Sequence, residues 1–247
     1  MWPAGVGRVV LPTVDSTNAE AARLAPHVAG PVWILGLEQT AGRGRRARAW
    51  SSPRGNFYGT HLLFPREEPA TVALRSFAAA LALRDAFVAL TGLPEAFALK
   101  WPNDVLLNGG KVAGILLESA TGSGGITHLS IGIGVNLISA PDAAQVEPGA
   151  VPPVSLLSET GVRVTPEQFL NALAPAYARW EATFTAEGFA PLRAEWLAHA
   201  ARLGQVIRAR TGTAERTGIF DTIDATGALI LRDGQGQIAI PAAEVFF

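Results

Sequence analysis

A chain of 247 residues, 17% charged and 49% hydrophobic, carries enough apolar surface for a full core, which excludes an intrinsically disordered protein. A formal net charge of −1 and an isoelectric point near 6.4 leave no overall basic field for nucleic acid. Absence of cysteine excludes a disulfide framework, a thiol nucleophile and a cysteine-built zinc site, and agrees with a reducing cytoplasm.

The amino terminus, MWPAGVGRVV, lacks the basic and apolar regions of a signal peptide. Arg8 to Leu11 reads as a short strand. Thr17 followed by Glu20 forms a capping box, so a helix is expected from there to about Leu24. Ser16, Thr17 and Asn18 read either as a plain helix start or as donors and acceptors at a positively polarised one. Pro31 to Gln39 is a second strand. It runs into Gly42-Arg43-Gly44-Arg45-Arg46-Ala47-Arg48-Ala49-Trp50, which has neither helical nor strand periodicity and reads as a mobile loop. An arginine run is a solvated face, a nucleic-acid patch or an anion clamp. The shortness of this one, its tryptophan and the slightly acidic chain favour a clamp on a phosphate-bearing ligand, with Trp50 stacking on a base.

Phe57 to Phe64 alternates as a strand, and Thr71 to Leu90 places Leu74, Phe77, Ala78, Leu81 and Val88 near one helical stripe that Gly92 and Pro94 end. Arg75, Arg84 and Asp85 interrupt that stripe, so no membrane span is expected. Lys100 to Glu118 holds both lysines of the chain, Lys100 and Lys111; every other cation is arginine. A compact ammonium does what a planar guanidinium cannot, so these lysines are candidates for chemistry. Asn103 and Asp104 suit a hard cation or a phosphate-linked hydroxyl. Asn108-Gly109-Gly110 is a hairpin turn that sets Lys111 near the strand carrying Asp104.

Thr121 to Gly125 is a turn, and Ile126 to Leu137 a strand in which Gly132 and Gly134 alternate with β-branched residues. Two glycines there mean close approach of a ligand or tight packing. Ala140 to Pro153 reads as a surface excursion. A short helix from Ser155 to Glu159 precedes a capped one, with Thr165 and Gln168 as the box, Pro166 at its first position and Pro175 expected to bend it. A further helix spans about Pro191 to Ala200. Beyond Leu203 come short strands, Gln205 to Arg210, Thr217 to Asp224, Ala228 to Arg232 and Gln237 to Pro241. They read as a small β-barrel-like module leaning on the main domain. His27, His61, His128 and His199 have no ligand spacing and read as structural or surface residues.

An arginine-glycine loop with a tryptophan, a lysine beside an Asn-Asp pair and a glycine-opened strand face suit activation of a carboxylate by a nucleotide. There, cations and one Mg2+ offset the charge that builds at an α-phosphate. In order, Asp15–Asn18, Gly42–Trp50, Lys100–Glu118 and Gly132–Asn136 resemble the biotin protein ligases, or biotin–[acetyl-CoA-carboxylase] ligases, over nearly the full chain. The resemblance implies an α+β fold, a mixed, largely antiparallel sheet packed by helices (residues 1–200), with a small SH3-like C-terminal domain (201–247). It implies a cytoplasmic enzyme, monomer or homodimer, that joins biotin to ATP as biotinyl-5′-AMP and passes biotin to a lysine of a biotin carboxyl carrier domain.

Residue by residue, the resemblance implies that Ser16, Thr17, Asn18 and Gln39 hold the biotin ring and that Gly42, Arg43, Gly44 and Arg45 cover biotin and its adenylate. Lys111 would lie near the biotin carboxylate and α-phosphate, with Arg43 and Arg45 as further catalytic cations. Gly114, Leu116 and Gly132 would give backbone contacts to biotin. Arg45, Arg48, Trp50, Asn103, Lys111 and Asn136 would meet ATP, and Asp104 would hold Mg2+. Ala47 stands where the family loop has a third glycine, which implies a stiffer loop because alanine resists positive φ. The Ser16 motif begins almost at once, leaving no room for an N-terminal helix-turn-helix domain, so no sequence-specific DNA binding is expected. Two other readings are a lipoate–protein ligase of the same fold, whose Arg-Arg-Gly-rich motif and His-Asp pair are missing here, and a non-enzymatic RNA-binding module using the arginine loop.

Overall fold

The structure is a computed structural model that describes all residues except 143–148 and 213, and the backbone alone at residue 47. Part of the excursion from Ala140 to Pro153 therefore lies outside the described residues, as does the side chain of Ala47. The chain runs β1 (Gly7–Leu11), α1 (Thr17–Leu24), β2 (Val32–Gly36), β3 (Phe57–Leu63), α2 (Pro69–Ala73), α3 (Arg75–Thr91), β4 (Phe97–Lys100), β5 (Asp104–Leu107), β6 (Gly110–Gly122) and β7 (Gly125–Val135). It continues through α4 (Leu156–Thr160), α5 (Pro166–Glu187), α6 (Phe189–Ala198), β8 (Val206–Arg210), β9 (Glu215–Ile223), β10 (Leu229–Asp233), β11 (Gly236–Ile240) and β12 (Glu244–Phe246). Seven strands form one sheet in the order β1-β2-β3-β7-β6-β5-β4, parallel only at β1–β2. The other five form an antiparallel sheet, β11-β10-β9-β8-β12. The expected mixed, largely antiparallel α+β architecture is what the chain adopts.

Side chains alternate across a strand, and here the alternation separates core from cavity. Phe57, His61 and Leu63 of β3 and Ile131, Ile133 and Val135 of β7 join the main core with α3, α5 and α6. Their neighbours Thr60, Gly132 and Gly134 lie on the opposite face, which α1 covers at one end through Ala21 packed with Val32, Ile34 and Leu62. Small and polar residues on that second face leave room there. The main core continues into the C-terminal sheet through Ile207, Phe220, Leu229 and Val245. Trp196 meets Phe220 with ring centroids 6.5 Å apart, and the Trp101 indole N–H donates to the Gly227 carbonyl at 3.1 Å. The small module leans on the larger one, as expected for a unit too small to bury much alone.

Local signals hold where the chain needs an unusual backbone. Asn108 and Gly109 take φ of 50° and 84°, the pair of positive angles a tight hairpin turn requires. Gly92 ends α3 in the left-handed region, and Thr165 with Gln168 forms the reciprocal cap of α5, which runs on through Pro175. Two expectations fail. The helix read as Thr71 to Leu90 is two helices that meet at Leu74, the first beginning with Pro69. The cap of α1 is Ser16, not Thr17: Thr17 is inside the helix with its hydroxyl turned to Gln39 and Thr60, and Gln39 Oε1 accepts the Thr17 N–H at 2.9 Å. The free N–H at the helix start is thus satisfied by a side chain 22 positions away, not by Ser16 itself.

His61 is a core residue, stacked on Trp33 with centroids 4.4 Å apart and edge-on to Tyr177. Both ring nitrogens are buried without a hydrogen-bond partner, and burial pushes its pKa down to about 3. A neutral imidazole is therefore part of the folded state. Its contribution is complete above the unfolded pKa of roughly 6.5 and is lost as pH falls from there towards 3. His61→Phe removes that component, so its denaturation midpoint should fall less steeply than wild type between pH 6 and 4, whatever its value at neutral pH. Parallel slopes in urea titrations across that range would contradict this.

Candidate active site

The second sheet face, the arginine loop and β12 enclose a cavity of about 530 Å3. Ser16, Thr17, Asn18, Gln39, Arg43, Gly44, Arg45, Arg48, Trp50, Asn103, Asp104, Lys111, Gly114, Leu116, Gly132 and Asn136 all line it. Gly42 is the exception and corrects the expectation: it is not in the lining but packed behind it. A β-carbon there would come within 2.5 Å of Ser52 Oγ, 2.7 Å of the Trp50 carbonyl and 2.8 Å of Gln39 Nε2.

One end of the cavity is polar and without net charge, its one lining cation, Arg43, being paired with Glu118. The buried residues Ser16, Thr17 and Asn18 open α1 beside β3 and β7, and the Asn18 amide reaches the Leu116 carbonyl of β6. Thr60 Oγ1 lies 2.8 Å from Thr17 Oγ1 and 2.7 Å from Asn18 Oδ1, Thr17 Oγ1 donates to Gln39 Oε1, and Gln39 Nε2 donates to Ser52 Oγ at 2.9 Å. Glycine is needed beneath them: a β-carbon at Gly132 would lie 2.4 Å from Asn18 Oδ1.

The other end is cationic. The expected hairpin sets Lys111 beside Asp104, with Nζ 2.7 Å from Oδ1, while Lys100 Nζ stands 3.8 Å from Oδ2. The closer contact is an ion pair without hydrogen-bond alignment, so Asp104 Oδ1 is a buried oxygen with no aligned donor. Burial lowers the pKa of Lys100, and the Asp104 charge opposes that. The backbone of Lys111 is clamped from outside: its N–H donates to the Pro152 carbonyl at 2.8 Å, and its carbonyl accepts the Val154 N–H at 3.0 Å. The returning end of the excursion therefore fixes where the lysine stem starts.

The loop folds back on itself. Arg43 pairs with Ala49, the Gly44 N–H donates to the Arg48 carbonyl at 2.8 Å, and the Trp50 N–H donates to the Gly42 carbonyl at 2.9 Å. Its left-handed residue is Arg46, with φ 56°. Trp50 lies on the glycine-opened face, where a β-carbon at Gly134 would approach the indole to 2.6 Å and one at Gly114 to 3.2 Å. Lys111 Nζ sits 5.5 Å from that ring's centroid. The glycines in the strand thus take up a loop tryptophan and an asparagine amide.

Carboxylates hold three of the loop's four arginines. Arg43 Nη2 lies 3.2 Å from Glu118 Oε2, Arg46 Nη1 lies 3.1 Å from Glu244 Oε2, and Arg48 Nη2 lies 2.6 Å from Glu244 Oε1. Arg45 makes no ion pair among the described residues; its Nη1 donates to Asn103 Oδ1 at 3.3 Å. Burial lowers its pKa, which the Asp104 charge opposes. Burial alone would raise the pKa of Glu244, but the Arg210 hydrogen bond and the Arg48 and Arg46 charges hold it below the usual value.

Sequence reasoning assigned no role to Thr60, Glu118 or Glu244. The Tyr58, Thr60, Leu62 alternation puts Thr60 on the cavity face and could have found it. Glu244 carries no local signal, because its three arginines come from distant segments.

These features can hold a small molecule with an uncharged polar ring at one end and bring an anion of it against a second, phosphate-bearing ligand at the other. Comparison with known proteins agrees. The biotin/lipoate A/B protein ligase family matches residues 10–136, and the biotin protein ligase C-terminal domain matches residues 203–247. A biotin–[acetyl-CoA-carboxylase] ligase of Paracoccus denitrificans is 59% identical over 96% of this chain and 99% of its own. A bifunctional ligase/repressor of Bacillus subtilis is 29% identical over 94% of this chain and 71% of its own. The biotin protein ligase of Aquifex aeolicus in complex with biotin and ATP superposes with a TM-score of 0.81 at 25% identity, covering 97% of each chain.

Proposed function

The chain belongs to the biotin/lipoate A/B protein ligase family, and within it we propose that it is a biotin–[acetyl-CoA-carboxylase] ligase. It would activate biotin with ATP as biotinyl-5′-AMP and then biotinylate one lysine of a carrier domain. The carrying observation is a single 530 Å3 cavity with a neutral hydrogen-bonding end and a cationic end. That polarity matches biotin, an uncharged urea ring joined through an apolar chain to a carboxylate.

In the first step a biotin carboxylate oxygen attacks the α-phosphorus, and the bond to the bridging oxygen of the leaving pyrophosphate breaks. Negative charge builds on the α-phosphate oxygens, where Lys111, Arg45 and Arg43 would offset it. Ser16, Thr17, Asn18 and Gln39 orient the ring, Gly114, Leu116 and Gly132 let the backbone approach it, and Gly42 lets the loop pack closely behind Gln39. Arg48, Trp50, Asn103 and Asn136 serve the nucleotide. In the second step the carrier lysine attacks the acyl carbon and AMP leaves with both electrons of the broken C–O bond.

Asp104 lines the cavity as a buried carboxylate whose Oδ1 meets the Lys111 ammonium without an aligned hydrogen bond, an oxygen that a hard cation could share. Mg2+ takes most of its ligands from phosphates and water, so Asp104 could be its one carboxylate, and the ion would supply charge neutralisation of the triphosphate. Residues 1–200 would form the catalytic unit and 201–247 the SH3-like one, in a cytoplasmic monomer or homodimer; no described helix is long and apolar enough to cross a membrane.

Intact mass of a purified carrier domain, after incubation with this protein, biotin and MgATP, tests the reading. One added biotinyl group supports it. Addition only in a parallel incubation with lipoate in place of biotin points to the sister activity, and no addition in either rejects the reading. Three of the four loop arginines that would have served RNA are held by Glu118 and Glu244, and the fourth, Arg45, reaches Asn103 at the cavity wall. For the same reason, and with a net charge of −1, operator DNA is expected to show no retarded band at about 150 mM salt, where non-specific contacts weaken steeply.

A further inference from the structure

We propose that Glu118, which is absent from the cavity lining, is a positioning residue that sets the donor–acceptor polarity of Asn18 and tethers the arginine loop through Arg43; the proposal rests on the ligase reading above. Glu118 stands on β6, two residues beyond Leu116 of the cavity lining. Its Oε2 accepts from Asn18 Nδ2 at 2.7 Å. Arg43 Nε donates to Oε1 and Arg43 Nη2 to Oε2, both at 3.2 Å.

An ionised carboxylate only accepts hydrogen bonds, so it dictates which end of the Asn18 amide faces it. The amide's second hydrogen points towards the Leu116 carbonyl at 3.4 Å, which commits the donor end. The carbonyl end then faces Thr60 Oγ1 at 2.7 Å over Gly132, with acceptor capacity to spare. Asn18 therefore offers the cavity an acceptor, the group that selects a ring bearing N–H. Without Glu118, nothing of fixed charge prevents the amide from turning over and presenting a donor instead.

The two roles differ in size. Asn18 is buried, and a hydrogen bond between a buried amide and a charged acceptor changes binding roughly 10- to 100-fold. Arg43 and Glu118 are each 39% exposed, so their pair is screened and should change release of a covered ligand only about two- to fivefold.

Biotin affinity, by calorimetry, and biotinyl-5′-AMP release, by chase at low and high salt, separate them in Glu118→Ala, Glu118→Gln and Arg43→Gln. Glu118→Ala should bind biotin roughly tenfold more weakly and release the adenylate about two- to fivefold faster. Glu118→Gln keeps an acceptor oxygen of the same shape. It should regain most of the biotin affinity yet keep the faster release, now insensitive to salt, whereas wild-type release quickens with salt. Glu118→Gln combined with Arg43→Gln should release no faster than Arg43→Gln alone. Unchanged biotin affinity in Glu118→Ala, or no recovery in Glu118→Gln at equal melting temperature, overturns the Asn18 role. Additive release rates overturn the tether. Wild-type protein that fails to bind biotin overturns the ligase reading itself, a separate outcome read from the same preparation.

Discussion

Lys111→Ala should lose adenylate formation by a factor on the order of 10²–10³ while the fold persists, because in the proposed mechanism its ammonium would offset the charge that develops on the phosphate. Lys111 is held for this from both sides. Its backbone is clamped by Pro152 and Val154, and its Nζ is steered by Asp104 beneath the Trp50 ring. The loss should fall on turnover more than on biotin affinity, since the ring end of the cavity is untouched. Lys111→Arg is the sharper control: a planar guanidinium on a longer stem restores charge but not position, so it should recover little. Pyrophosphate exchange with ATP and biotin measures both variants. Near-normal exchange in Lys111→Ala would remove this residue from the chemistry.

Arg45→Gly should harm retention of the adenylate more than its formation. A mixed anhydride reacts with water and with any exposed amine, so a closed loop must hold it until the carrier docks. Arg45 is the loop arginine that no described carboxylate neutralises, and it already reaches the cavity wall at Asn103. Charge-assisted hydrogen bonds to the adenylate phosphate would be lost with it, which raises release roughly 10- to 100-fold. The visible consequence is label on bystanders: serum albumin incubated with the variant, biotin and MgATP should become biotinylated. Release no faster than wild type, with unlabelled albumin, would assign Arg45 no part in retention.

The parts of this design that depend on local backbone demand were legible in the sequence. Asn108 and Gly109 announce a turn because few other residues accept two positive φ angles in succession. The lysines stood out by their scarcity, and the hairpin then dictated that Lys111 would meet Asp104. Contacts between segments were not legible. Thr17 reads as a cap until Gln39, brought alongside by the sheet, takes over the helix terminus. Asn18 and Glu118 are 100 residues apart, and no periodicity links them. The four-residue β4 and three-residue β12 are too short for alternation to show, so the strand that carries Glu244 went unassigned. The break at Leu74 has no glycine or proline of its own; Pro69 was the available sign that a separate helix begins earlier.

Glu244 also gives the enzyme a timetable. A ribosome makes Arg46 and Arg48 long before it makes the carboxylate that holds them, and β12 joins its sheet only by pairing with β8. Until then a nascent chain carries the loop without the carboxylate that bridges Arg46 and Arg48, although the main sheet and its helices have all been synthesised. The bridge that ties the loop to the C-terminal sheet is therefore the last of its contacts to form, because it waits on the three-residue strand.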